Sequence, residues 1–165
     1  RSQDGFRKSR SIKLLPTPPP RDADGNVVPH NHADILDADG IIRRVTMQHV
    51  VEDPKAVGGR KLSSILFNPS SGLNGGLSVD LRRPIEEDGL APQAFVTTEE
   101  FVGSVIMIAQ VFRSKALQVG YDPLPTNSYH GEVWGNFTGG CKRQLLKLAD
   151  WFVPVNGVSH PSGYP

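Results

Sequence analysis

Glycine and proline cut this chain into short pieces, and that punctuation limits what it can build. Among its 165 residues are 17 glycines and 14 prolines. Glycine frees the backbone for left-handed turns and proline removes a donor, so the two together select short strands and helices joined by turns. The longest apolar run, "FVGSVIMIAQVF", is broken by Gly103, Ser104 and Gln110 and falls short of the roughly 20 residues needed to cross a bilayer. The length suits one domain with a single core.

Between the punctuation marks, "GIIRRVTMQHVV" (40–51), "KLSSILF" (61–67) and "GLSVDL" (76–81) are rich in β-branched and apolar residues, the pattern of strands, and the last two read as a wide hairpin. "RRPIEEDG" predicts one helical turn that starts near Pro84 and stops at Gly89. In "TTEEFVGSVIMIAQVFRSKALQVG" (97–120), Thr97 and Glu100 match a capping box. Phe101, Val105, Ile108, Ala109 and Phe112 recur at helical spacing, which predicts a long helix. A strand around "LQVGYD" overlaps its end, "DPLPTNS" is a turn, "YHGEVWGNF" is another strand, and "GCKRQLLKLADWF" predicts a second helix. Two helices among five or six strands imply an α+β domain with a mainly antiparallel sheet. The repeated "DADG" at 22–25 and 37–40 reads as turn chemistry, because Val27 and Ala33 replace the Gly and Glu that a calcium loop requires.

Residues 1–20 form a separate unit in this reading: an extended arm, basic through Arg1, Arg7, Lys8, Arg10 and Lys13 and proline-rich in "LLPTPPP", followed by the domain at 21–165. Overall net charge is only +1, so the positive charge belongs to the arm. The N-terminal stretch lacks the apolar region of a signal peptide, and the single Cys141 fits a reducing compartment; together they predict a cytoplasmic protein with no membrane span. Little aromatic interleaving accompanies the basic runs, which speaks against sequence-specific nucleic-acid binding.

The candidate chemistry centres on "SYHGEVWG". Side chains alternate across a strand, so His130, Glu132 and Trp134 share one face, with His130 and Glu132 about 6.5 Å apart along it. Histidine titrates near neutrality and a carboxylate can act as base or charge stabiliser, so the pair is suited to proton transfer, with the indole as a ligand platform. "PHNHAD" likewise aligns His30, His32 and Asp34, a pattern that opens a metal site only if another ligand faces it. Ser63, Ser64 and Ser78 lack the Gly-x-Ser-x-Gly elbow and become nucleophiles only beside a base.

Arg43 or Arg44 on the first strand, Ser63 and Ser64 on the next and Glu132 on a late one resemble the Arg, Ser, Glu order of the ADP-ribosyltransferases. In that family the Arg and Ser hold NAD and the Glu stabilises the developing ribosyl cation, so the resemblance implies an NAD-binding cleft between two small sheets. Two features depart from it. There is no Ser-Thr-Ser, and His130 stands two residues before the Glu, where the family has Glu or Gln.

These residues together predict a small enzyme or ligand-binding domain with a cleft for an anionic, nucleotide-like ligand. His130 and Glu132 do the chemistry, and Arg43, Arg44, Ser63, Ser64 and Trp134 bind. No cofactor is named by the residues. The competing expectation is a non-catalytic interaction module that captures a protein partner through the basic, proline-rich arm.

Overall fold

A computed structural model describes residues 15–70 and 75–161. In chain order its elements are β1 (Gly40–Val45), β2 (Val50–Glu52), β3 (Arg60–Leu62), β4 (Leu77–Leu81), α1 (Arg82–Glu87), α2 (Pro92–Val96), β5 (Gly103–Ile108), α3 (Ala109–Arg113), β6 (Gln118–Tyr121), β7 (His130–Trp134), α4 (Gly139–Leu148) and β8 (Asp150–Val153). A 3-10 turn at 64–67 precedes β4. Six strands form one antiparallel sheet in the order β6-β7-β4-β1-β5-β8, and β2 pairs with β3 separately. The domain is therefore α+β with a mostly antiparallel sheet.

Alternation assigns each side chain to one of two faces. Ile41, Val45, Leu77, Val79, Leu81, Val105, Met107, Val119 and Val133 point to the larger core, which is closed by Leu66 and Phe67 of the 3-10 turn, Phe112 of α3 and Leu145 of α4. On the opposite face, Ile42 and Ile106 meet Ile85 of α1 and Val96 of α2 in a smaller cluster. That second cluster covers only part of its face. The polar residues of β4 and β7 occupy the remainder.

The ladder at the centre of the sheet is short. β1 pairs with β5 along its whole length, from Gly40 opposite Ile108 to Val45 opposite Gly103. With β4 it pairs only at Ile41 opposite Leu81 and Ile42 opposite Asp80. Beyond that point the strands part, and their backbone groups need other partners. Arg43 bridges the gap: Nη1 donates to the Ser78 carbonyl of β4 at 3.0 Å and Nε to the Leu66 carbonyl of the 3-10 turn at 2.9 Å. The rigid fork of a guanidinium suits such bridging better than an ammonium.

Three sequence expectations are corrected. Residues 97–120 do not form one helix: Gly103–Ile108 is a strand, Ala109–Arg113 a short helix and Gln118–Tyr121 another strand. β5 lies between β1 and β8, and Gly103, Ser104, Val105 and Met107 are all buried. A strand covered on both faces is apolar throughout, so its sequence imitates a buried helix. Thr97, expected to open that helix, instead ends α2, its hydroxyl donating to the Gln93 carbonyl. The expected hairpin of 61–67 with 76–81 is also absent, because β3 pairs with β2 and residues 64–67 coil into the 3-10 turn.

The turn at 22–25 forms as expected: Asp22 Oδ1 accepts from the N–H groups of Asp24 and Asn26, and Gly25 adopts φ +82°. "RRPIEEDG" forms α1, and Gly89 follows it at φ +79°. The basic part of the arm lies outside the described residues, whereas the proline segment from Leu15 rests on the domain. Thr17 N–H donates to Asp34 and its carbonyl accepts from His32. No helix among the described residues is long and apolar enough to cross a membrane.

Candidate functional site

The open part of the second face is a cleft of about 460 Å³ lined by Arg43, Arg44, Ser78, Val79, Asp80, Phe95, Phe101, Leu124, Thr126, Asn127 and His130. It lies where β1 and β4 diverge. β7 completes it from the other side of β4, since register places Glu132 opposite Ser78 and His130 opposite Asp80.

His130 joins the functional groups of the cleft. Its Nδ1 is 2.8 Å from the carbonyl oxygen of Asp122 and 3.4 Å from that residue's carboxylate. A carbonyl only accepts, so Nδ1 carries a hydrogen and Nε2 is the nitrogen turned toward Ser78 and Glu132. Nε2 is 3.1 Å from the Ser78 hydroxyl and 3.9 Å from Glu132 Oε1. Ser78 also hydrogen-bonds Glu132. Burial pushes the Glu132 carboxyl above the usual carboxylate range; Asp122 adds to the rise, while His130, Arg43 and Ser78 oppose it. Arg43 experiences the mirror effect, with burial lowering it to about 10 against the pull of Glu132 and Asp80.

Space for Glu132 comes from Gly76. A Cβ at that position would collide with the Glu132 carboxylate and crowd the indole Nε1 of Trp134. Gly76, just before β4, thus has a steric role beside the site. Trp134 itself is 3% exposed. Its ring lies against His30 at a centroid distance of 5.3 Å, across Gly120, and its Nε1 is a buried donor without a hydrogen-bond partner.

Arg44 occupies the opposite wall. It makes a two-pronged ion pair with Asp80, at 2.8 and 3.0 Å, and its guanidinium lies 5.7 and 5.2 Å from the ring centres of Phe95 and Phe101. Asn127 donates to the same carboxylate at 2.8 Å. Asp80 thereby accepts three hydrogen bonds, and Arg44 is fixed as part of the wall.

The structure brings together Arg43, Arg44, His130 and Glu132, with Trp134 just beyond Glu132. It does not bring Ser63 or Ser64 to them. Ser63 caps the 3-10 turn, accepting from Ile65 N–H at 3.3 Å, and both serines line a different groove beside Arg143 and Lys147. Ser78 holds the position expected of them, and Asp122 was not foreseen at all. A signal for Ser78 exists in "GGLSVD", where one polar residue alternates with Leu77 and Val79. Asp122 directly follows β6, its N–H donating to the His130 carbonyl, and nothing local marks it.

His30 and His32 do not open a metal site. His30 uses Nδ1 on the Val28 carbonyl and Nε2 on Tyr121 N–H, while His32 uses Nε2 on the Thr17 carbonyl and Nδ1 on Asp34 N–H. Asp122, His130 and Glu132 each offer a ligand atom, all within 4.8 Å of one another. However, His130 has both nitrogens engaged, so an ion at Nε2 would displace the Ser78 hydroxyl.

The chain matches no family model, no curated protein and no solved structure. Chemically, the cleft combines a half-buried cation, an imidazole anchored through Nδ1 and two phenyl rings, with the half-buried Glu132 carboxylate beside it. Such a set can hold a charged, partly aromatic molecule and stabilise a positive centre that develops beside Glu132.

Proposed function

We propose that this cleft binds an anionic, nucleotide-like ligand. As in the ADP-ribosyltransferases that the sequence resembles, we take that ligand to be a nicotinamide dinucleotide whose glycosidic bond breaks beside Glu132. One observation carries the reading: Arg43, Ser78 and Glu132 come from β1, β4 and β7 and converge where the sheet splits. The Arg, Ser, Glu order is kept, with Ser78 in place of Ser63 and Ser64. The cleft lies between the two half-sheets, β6-β7-β4 and β1-β5-β8.

Each residue has a physical part in this scheme. Arg43 is a half-buried cation and attracts a phosphate. Phe95 and Phe101 offer faces to a flat ring. In this scheme a cationic sugar carbon forms beside Glu132, whose carboxylate, disfavoured by burial, gains a counter-charge in the transition state. A reducing cytoplasm, argued from the lone Cys141, would supply such a substrate.

The test mixes the protein with NAD and follows both binding, by calorimetry, and nicotinamide release. Wild type is expected to bind and to release nicotinamide. Glu132→Gln should bind comparably yet lose about a hundredfold or more in turnover, the scale of removing one electrostatic stabiliser. Absence of both binding and release in wild type would sink the proposal and favour the interaction-module reading, which rests on the basic arm outside the described residues.

A further inference from the structure

We propose a second activity for this cleft, independent of the dinucleotide reading: Ser78 is a nucleophile activated by His130, and the protein hydrolyses carboxylic esters through an acyl-Ser78 intermediate. Three groups stand in a row. The Ser78 hydroxyl is 3.1 Å from Nε2 of His130, and Nδ1 of the same ring is 2.8 Å from the Asp122 carbonyl and 3.4 Å from its carboxylate. Nucleophile, base and orienting acid in this arrangement make the serine-hydrolase triad, which recurs on unrelated folds and is recognised by geometry rather than by motif. Ser78 lacks the Gly-x-Ser-x-Gly elbow but has the base beside it.

Its surroundings fit the role. Ser78 is exposed on β4 between buried Leu77 and Val79, and it lines the cleft where β1 has left β4. Arg43 borders the same gap. Its Nε and Nη1 go to the Leu66 and Ser78 carbonyls, and Nη2 has no hydrogen-bond partner among the described residues. A guanidinium this close to Ser78 is placed to stabilise the oxyanion of a tetrahedral intermediate. Phe95, Phe101 and Leu124 offer the acyl group apolar surface. Two acids flank the imidazole, Asp122 at 3.4 Å and Glu132 at 3.9 Å. Each, when ionised, offsets the positive charge that His130 gains with the Ser78 proton. Glu132 also hydrogen-bonds Ser78 and is the rival base.

The two steps balance. Ser78 Oγ bonds to the ester carbonyl carbon and its proton passes to Nε2. The bond from that carbon to the alcohol oxygen breaks, its electron pair stays on the oxygen, and Nε2 returns the proton there. Water then attacks the acyl carbon and gives a proton to Nε2; Oγ leaves with the bonding pair and takes that proton, releasing the acid.

The test treats wild-type protein, without NAD, with a fluorophosphonate and identifies the modified serines by mass spectrometry. Ser78 is expected to react about a hundredfold or more faster than Ser114, an exposed serine whose hydroxyl donates to the Val111 carbonyl. Equal rates at the two serines overturn the inference, and this arm needs no variant to fold. His130→Gln should abolish the advantage of Ser78 and Glu132→Gln should keep it; the reverse pattern overturns the role given to His130. Asp122→Asn retains the backbone carbonyl, so as a positioning residue it should lower the maximal labelling rate without raising the half-saturating reagent concentration. 4-Nitrophenyl acetate should give a burst of nitrophenol that Ser78→Ala lacks. Release of nicotinamide from NAD by a protein whose Ser78 does not label sinks this inference alone, whereas labelling of Ser78 without any binding of NAD supports it and sinks the dinucleotide reading.

Discussion

Two short stretches of this protein look alike as sequence and differ in use. "PHNHAD" and "YHGEVW" each align polar side chains at alternate positions, and each contains a buried histidine, His32 at 3% and His130 at 8% exposure. In the first, every ring nitrogen is spent on a backbone group: His32 ties the proline segment to the domain, and His30 pins β6. In the second, only Nδ1 meets backbone; Nε2 faces a hydroxyl and a carboxylate in a cleft. The lesson is that spacing cannot separate a structural histidine from a reactive one. The partners of its nitrogens can.

The comparison breaks if a substitution beside the second stretch spares turnover or one in the first destroys it. The largest effect is expected from Gly76→Ala, whose new Cβ collides with the Glu132 carboxylate. Displacing a reacting group by about 1 Å costs on the order of a hundredfold in turnover, or about 2.7 kcal/mol of barrier. Kinetics on a variant with a native melting curve checks it. Next is His32→Ala, which removes two hydrogen bonds and leaves a cavity. It should cost about 2 to 3 kcal/mol in urea unfolding without changing kcat per folded molecule.

Acid titration sharpens the contrast in a third place. Burial first, and the Arg43 charge second, lower His49 to about 4 from 6.5. The folded state therefore resists protonation that the unfolded chain accepts, so this contribution is fully present above pH 6.5 and is lost as pH falls toward and through 4. His49→Gln should make the decline of Tm across that window shallower. Glu132 acts in the opposite sense. With its folded value raised by burial, its charge costs stability at neutral pH and the cost fades on acidification. Glu132→Gln should melt above wild type at pH 7, and the gap should close toward pH 4; a variant less stable than wild type at pH 7 contradicts the burial argument. The smallest effect is Ser63→Ala, which removes a turn cap worth about 0.5 to 1 kcal/mol and leaves turnover unchanged.

Much of the fold was legible because local signals agreed with long-range pairing. β1, β4, β6 and β7 fall within the stretches that their β-branched residues and turns marked, and α4 covers the first part of the second expected helix, whose last residues, 150–152, belong instead to β8. The stretch 97–120 was misread for a physical reason: Val105 and Met107 face the larger core while Ile106 faces the smaller one. A strand apolar on both sides carries no period of two. The site was legible in part. His130, Glu132 and Trp134 do share a face, and Arg43 reaches them, but only through a gap between β1 and β4 that no local pattern announces. Ser63 and Ser64 were chosen because 61–67 reads as the neighbouring strand; the neighbour is β4, and strand partnership is decided by the whole sheet. Asp122 enters through a backbone carbonyl, which any residue possesses.

The central claim is that the ligand site includes the cleft-facing nitrogen of His130 and excludes the ring of His32, which is spent on backbone groups. Imidazole nitrogen resonances of histidine-labelled Glu132→Gln protein, recorded by NMR while NAD is added, test it most directly. The Nε2 signal of His130 is expected to shift with saturable dependence on NAD while both signals of His32 stay in place. A titration in which His130 does not move, or in which His32 moves and His130 does not, contradicts the account.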